Sequence, residues 1–413
     1  DAMIFSFETQ NILYVYVLLG IAFVLTVVCA VVLWRRAHRL SKFDLAEATR
    51  DYLPEEALPG VSVVVYAHND CENLERFLPL LLHQDYPDFD VVVVDDASFD
   101  GTHDLLSDLL PHFDNLRVTF APQETRSLSR KKLSLTIGIK ASQKEVVLHT
   151  NANCRVMSDQ WLRTMMRNFV PGTDVVLGFS HYRYRKDTSA GRYFRVFDSV
   201  VTSLQWVGSA IKGKPYRGIS DNLAYRRQLF FDHAGFSESL ELRYGDDDVF
   251  VSAIATGDNT RLELAPESQM QTYYENVPKA HNLLKLRRDY TSKFVCTKAP
   301  FYAQALFSVM NYLRLGALVA AVVLDYTNIF TISAATFLLI LSWVMMILPF
   351  NRCCIVCDLR LCRLANVAAA ARCHGILLFP RASHSPQPPN QRPTRHRPFH
   401  GGHRGRRGCA VVV

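Results

Sequence analysis

No glycine fingerprint of the Gly-x-Gly-x-x-Gly kind follows the first hydrophobic strand of this sequence, where Ala67-His-Asn-Asp70 stands instead. That excludes the usual cradle by which a doubly wound sheet holds a nicotinamide dinucleotide. No segment repeats at a fixed period, so a solenoid is excluded as well. The ten cysteines of the 413 residues are scattered, apart from Cys353, Cys354, Cys357 and Cys362. That cluster lacks a second spaced pair and a histidine pattern beside it, so incidental reduced thiols fit it better than a zinc site. The formal charge is +7, yet the excess is concentrated beside apolar segments and in the last residues. A bilayer surface is the expected partner for such an arrangement, and no nucleic acid is.

What is present begins with a charge-free run from Ile12 to Trp34, longer than the roughly 20 residues a helix needs to cross a bilayer. The run is too long for a signal-peptide core and its basic residues follow it, so an uncleaved anchor is expected. A second apolar region, 306–350, is interrupted at Asp325-Tyr-Thr-Asn328 and reads as about two further spans. Arg35, Arg36, Arg39 and Lys42 follow the first run, Lys293 and Lys298 precede the second, and Arg352, Arg360 and Arg363 follow the third. By the positive-inside rule all three clusters put the intervening region in the cytosol. The expected location is the cell's inner (plasma) membrane, multi-pass, with the domain of residues 58–278 on the cytosolic side. Residues 279–300 are basic and amphipathic and are expected to lie on the headgroups. Residues 371–413 turn rich in Pro, Arg, His and Gly. They read as a disordered basic tail, either a functional arm or the trace of a reading-frame change.

The soluble region alternates. Val61–Tyr66 and Phe89–Val94 are β-branched runs that suit buried parallel strands, separated by a helical pattern through Leu74, Phe77, Leu78 and Leu81. Further helix–strand pairs follow, with strands at 117–120 and 145–149. This argues for an α/β fold with a doubly wound, mostly parallel sheet, whose ligands sit beyond the carboxyl ends of the strands. Polar clusters fall at those ends. Asp70, Asp95 and Asp96 put carboxylates there.

The order of the clusters resembles the inverting family 2 glycosyltransferases of GT-A fold, in particular membrane-attached bacterial members. Val61-Ser-Val-Val-Val-Tyr-Ala-His-Asn-Asp70 is similar to the family's opening strand and turn, with Asp70 in place of Glu. Gln84-Asp-Tyr-Pro, the strand after it, and Asp95-Asp96-Ala-Ser-Phe-Asp-Gly101 match the second strand and its paired aspartates. The resemblance implies a nucleotide-sugar donor, a UDP-sugar first of all, with Lys131 and Lys132 near the diphosphate. Where the family carries Asp-x-Asp for a divalent cation, this chain has Asn151-Ala-Asn153. Amide oxygens are hard ligands that Mg²⁺ or Mn²⁺ accepts, but two negative charges are gone and weaker binding is expected.

On the acceptor side, Gly218-Ile-Ser-Asp-Asn-Leu-Ala-Tyr-Arg-Arg227 and Gly245-Asp-Asp-Asp-Val-Phe250 resemble the family's acceptor segment and acidic motif. The resemblance implies acceptor contacts at Asp221 and Asn222 and a general base at Asp246, with Asp247 the neighbour that replaces it if the alignment shifts by one. The stretch Lys285-Leu-Arg-Arg-Asp289 stands where processive members have Gln-x-x-Arg-Trp; only Arg288 is kept, as a further acceptor contact. The function implied is an inverting, non-processive transfer of a sugar to a lipid-linked or polysaccharide acceptor. The competing reading is a catalytically silent membrane protein that keeps the fold and nucleotide binding.

Overall fold

The computed structural model describes residues 2–45, 49–122, 129–182 and 192–356. The chain divides into two units, Asp1–Ala365 and Asn366–Val413. The second unit, and with it the expected tail at 371–413, lies outside the described residues.

A long helix α1 (Ala2–Leu45) precedes the sheet. Strands β1 (Val61–Ala67) and β2 (Phe89–Asp95) carry valines with no solvent exposure. Strands buried on both faces need helices on both sides, and the alternation supplies them. Helices α2 (Cys71–Leu82) and α3 (Thr102–Leu109), strand β3 (Leu116–Phe120), helix α4 (Arg130–Ala141) and strand β4 (Val146–Asn151) complete the parallel half. Its order is β3-β2-β1-β4. Helix α4 lies close on the sheet at Gly138, where a Cβ would come within 2.6 Å of Val64 and 2.7 Å of Val94.

The chain then runs through β5 (Cys154–Val156), α5 (Trp161–Met166), β6 (Val175–Leu177), β7 (Ser180–Tyr182) and α6 (Arg192–Ala210). Next come β8 (Leu223–Arg226), α7 (Arg227–Asp232), α8 (Asp248–Ile254), β9 (Thr260–Leu262) and β10 (Met270–Thr272). Strand β8 runs antiparallel to both β4 and β6, which extends the sheet to β3-β2-β1-β4-β8-β6-β9. A small sheet β5-β10-β7 stands beside it. The register pairs Ala67 with Asp95 and Tyr66 with Asn151. The loops after β1, β2 and β4 therefore open at one edge, where a ligand of such a sheet is bound.

Helices α9 (Val277–Thr291), α10 (Ala299–Leu324) and α11 (Ile329–Val356) close the described chain. Two described helices, Ile12–Phe43 within α1 and α10, are long and apolar enough to cross a membrane, while the apolar stretch Ile329–Ser342 of α11 is shorter. Ala22 packs with Ala317, Leu318, Ala335 and Leu338, and Cys29 and Leu33 with Phe307, so the three helices form one bundle. Further along α1, Ala37 and Leu40 enter the core beneath the sheet together with Leu204 and Val207 of α6.

Helix α9 carries the first part of the basic segment 279–300. Lys285, Arg287 and Arg288 turn into the domain, drawn by the carboxylates of Asp198 and Asp246. Leu283 and Leu286 of α9, with Phe294 just beyond it, are exposed.

Candidate active site

Asp70 ends the β1 loop, with its carboxylate accepting from the amide of Asn73 at 2.8 Å and, more loosely, from the backbone of His68. Asp95 accepts from the backbone N–H of Ser98 at 3.0 Å, fixing the turn in which Ala97 adopts a φ of +51°. Asp96, 2% exposed, accepts from the Tyr66 hydroxyl at 2.8 Å and from the Arg130 guanidinium at 2.9 Å. This charge-assisted hydrogen bond raises the Arg130 pKa, while burial and the neighbouring Asp96 push the Tyr66 phenol well above its usual range. The three carboxylates thus gather at the open edge of the sheet, each already holding its loop in shape.

Arg130, Lys131 and Lys132 are consecutive on α4, so successive side chains leave the axis about 100° apart. Arg130 meets Asp96. Lys131 lies 2.8 Å from the Asp246 carboxylate and donates to the Ser220 hydroxyl at 2.9 Å. Lys132 has no exposure, donates to the backbone carbonyls of Ser239 and Leu242, and is pushed down to about 8 by burial. The expectation that Lys132 meets a diphosphate is therefore corrected: it anchors the 239–242 loop from inside.

At the end of β4, Asn151 donates to Asp221 at 2.5 Å, and Asn153 turns the other way to donate to the carbonyl of Tyr273 at 2.9 Å. Asp221 also accepts from Thr272 at 2.6 Å and Ser180 at 3.2 Å. Among the described residues no three His, Cys, Asp or Glu side chains converge as a metal cage. The chain's own hard donors for a cation are Asn151 and Asp221, a set that fits Mg²⁺ or Mn²⁺ only when diphosphate oxygens complete it. Asn222 is not an acceptor contact. It is fully buried, accepts from the Trp161 indole at 3.2 Å and donates to the carbonyls of Phe179 and Ser268.

The acidic turn is set by Gly245, whose φ of +110° is open to glycine and strained for other residues. After it, Asp246 turns inward, 2% exposed, between Lys131 at 2.8 Å and Arg287 at 3.1 Å. Burial alone would raise its pKa, but these two cations override burial and hold the carboxyl well below the ordinary range. Asp247 is half-buried and accepts from the backbone N–H of Asp248 at 2.9 Å, capping α8. Burial first, then the charges of Asp248 and Asp246, push it up to about 6. Asp248 is buried and takes the hydroxyl of Thr291.

Between these elements lies an open cleft of about 920 Å³. Asn151, Asp221, Asp247, Arg217, Arg287 and Arg288 line it, and Trp206 of α6 forms part of the wall. Asp247, rather than Asp246, faces this space. On the far side Asp198 of α6 is met by His281 at 3.2 Å, Lys285 at 3.1 Å and Arg288 at 3.6 Å. Sequence reasoning missed Arg130, Asp198, Arg217 and Arg287. For Arg130 and Arg287 a signal existed, since each adjoins a residue singled out from the same basic cluster. Asp198 and Arg217 stand alone in their segments and carry no local pattern.

This fold has known counterparts. Residues 62–232 match the model of Glycosyl transferase family 2, and the fold is the GT-A fold. The chain is 29% identical over 186 residues to Glycosyltransferase AglE of Haloferax volcanii, covering 44% of this chain and 58% of that protein. It therefore spans little more than half the length of that curated relative. The mannosyltransferase PcManGT from Pyrobaculum calidifontis, solved with GDP-Man and Mn²⁺, superposes with a TM-score of 0.55 at 19% identity. That likeness covers 82% of this chain and 98% of the other, and it establishes the fold. S. aureus TarS 1–349 with UDP-GlcNAc gives a TM-score of 0.39 at 15% identity, over 72% of this chain and 90% of that one.

Proposed function

We propose that the protein transfers a sugar, with inversion and one at a time, from a nucleotide-sugar donor to a lipid-linked or glycan acceptor at the cytosolic face of the inner membrane. The observation that carries this reading is Asp247: a carboxylate pushed up to about 6 on the wall of the cleft that Asn151 and Asp221 also line. A base with a pKa near the working pH is both largely deprotonated and able to take a proton. In the step proposed, Asp247 takes the proton of an acceptor hydroxyl. The acceptor oxygen bonds to the anomeric carbon, the bond from that carbon to the donor phosphate breaks, and its electron pair leaves on the nucleotide diphosphate.

Asp70, Asp95 and Asp96 lie at the sheet edge where the nucleotide is proposed to sit. A divalent cation on Asn151, Asp221 and the diphosphate would neutralise charge on the leaving group. Asp246 keeps Lys131 and Arg287 in place beside the base. The mannosyltransferase relative was solved with GDP-Man, so GDP-sugars belong beside UDP-sugars in any donor trial. The positive residues after Trp34 support the cytosolic placement.

The silent reading draws on one observation, the two asparagines whose amides are bonded to Asp221 and to Tyr273. Donor hydrolysis by the purified chain, across a panel of UDP- and GDP-sugars with and without Mn²⁺, separates the two. Turnover of one donor is the expected result. Nucleotide binding without turnover of any donor would favour the silent protein.

A further inference from the structure

The cleft holds more positive charge than a base and its supports require. Arg217, Arg287 and Arg288 all line it. Arg287 is committed to Asp246 at 3.1 Å. Arg288 reaches Asp198 at 3.6 Å, the loosest of the three side chains that share that carboxylate. Arg217 makes no hydrogen bond or ion pair among the described residues, and its buried Nε has no partner. Arg288 is lowered by burial first and by the charge of Arg217 second, which places the two guanidiniums within each other's field. The other carboxylate beside Asn151, that of Asp221, already accepts from three side chains. Two like charges in a partly dry cleft raise each other's energy until an anion joins them. The planar donor forks of arginine suit the oxygens of a phosphate.

The position of Arg217 indicates what carries that anion. Tyr216, its neighbour, packs edge-on against Phe301 in the first turn of α10 at 5.5 Å. On the same side Gln205 of α6 donates to the carbonyl of Pro300 at 2.7 Å. Arg217 therefore adjoins a residue packed on the base of a candidate membrane helix, whereas Asn151 ends a strand of the sheet. We propose that the acceptor is a sugar linked through phosphate to a membrane lipid. Its phosphate is held between Arg217 and Arg288, and its free hydroxyl faces Asp247. This rests on the transferase reading of the same cleft and names the acceptor class within it.

The test is a titration of the full chain in detergent with farnesyl phosphate, farnesol and inorganic phosphate, read through tryptophan fluorescence, since Trp206 lines the cleft. Farnesyl phosphate is expected to bind well and farnesol at least about tenfold more weakly. Arg217→Ala and Arg288→Ala should each weaken farnesyl phosphate by about tenfold or more, and Arg217→Lys by less, because lysine keeps the charge and loses the fork. Unchanged melting and unchanged nucleotide affinity in these variants show that the fold persists. Equal binding of farnesol and farnesyl phosphate, or wild-type binding by Arg217→Ala, overturns the proposal. Inorganic phosphate binding as tightly as farnesyl phosphate overturns the lipid source. Because the readout needs no turnover, the two readings fail separately. Arg217-dependent binding in a protein that transfers nothing refutes the transferase. Full-rate transfer by Arg217→Ala to a lipid-phosphate-linked sugar refutes the phosphate site alone.

Discussion

Asp246 and Asp247 are neighbours with opposite electrostatics, and the difference sets how each responds to substitution. Asp247→Asn should lower kcat by about 10²- to 10⁴-fold, the usual size of general-base catalysis, with donor affinity kept. The kcat/KM of the parent should rise with pH through about 6, because the base works only when deprotonated and Asp247 is pushed up to about 6. Stability carries the opposite sign. A carboxyl raised above its unfolded value binds its proton more readily when folded, so the fold gains stability as pH falls from about 6 toward 4. That gain should vanish in melts of Asp247→Asn. Asp246→Asn leaves Lys131 and Arg287 without their shared anion. Breaking a buried pair in this way costs about 3 to 5 kcal/mol, measurable by denaturant titration. It should also move the pH profile to the acid side, since one like charge is removed from beside Asp247 and two cations are freed. The sequence resemblance points to Asp246 first, with Asp247 as its replacement. What separates them is the positive φ at Gly245 and the partners on α4 and α9, none of which is local to the motif.

Among the elements, β1, β2 and α2 were plain in the sequence, because runs of buried valine and a helical stripe of leucines leave little choice of fold. Strand β8 was harder to read: it inserts antiparallel between β4 and β6, far from its neighbours in sequence. Helix α9 had a legible amphipathic pattern, yet which face looks inward depends on carboxylates contributed by α6 and the acidic turn. The three basic residues opening α4 show the same limit. Type and spacing predict a cationic helix start, and helix phase then sends each side chain to a different element. Lys132→Ala should lose about 1.5 to 3 kcal/mol of stability from its charged hydrogen bonds and leave nucleotide affinity unaltered. At the end of β4, Asn151→Asp would set a second carboxylate against Asp221, 2.5 Å from the present amide nitrogen. Without metal this variant should melt lower than the parent. Added Mn²⁺ should restore it and bind more tightly than to the parent, and a variant indifferent to Mn²⁺ would show that no cation enters between these residues.

For the molecule as a whole, the helical bundle carries its own test. Arg314 of α10 is 5% exposed and its Nε is without a partner, on a helix with no other charged residue. A buried guanidinium among apolar helices is costly. Arg314→Met should therefore raise the melting temperature in detergent, unless the charge is needed for transfer, in which case activity falls while stability rises. The proposed orientation predicts that a single cysteine at position 35, in a background without native cysteines, is shielded from a membrane-impermeant reagent in intact cells. One at position 12 should be labelled.

Helix α1 has one further consequence. Between Ala22, packed among the bundle helices, and Leu40, packed in the core beneath the sheet, it contains neither glycine nor proline. The domain is therefore bolted to a stiff shaft instead of hanging from a leash, and on the proposed placement its cleft stands at one fixed height above the lipid. A mount of that kind works as a depth gauge. An acceptor of the right length brings its terminal hydroxyl level with Asp247. Once extended, the same molecule carries its new terminus one sugar beyond the cleft, where no swivel of the domain can follow. On the proposed function, the rigidity of the mount would limit each acceptor to a single addition, with no residue assigned to counting.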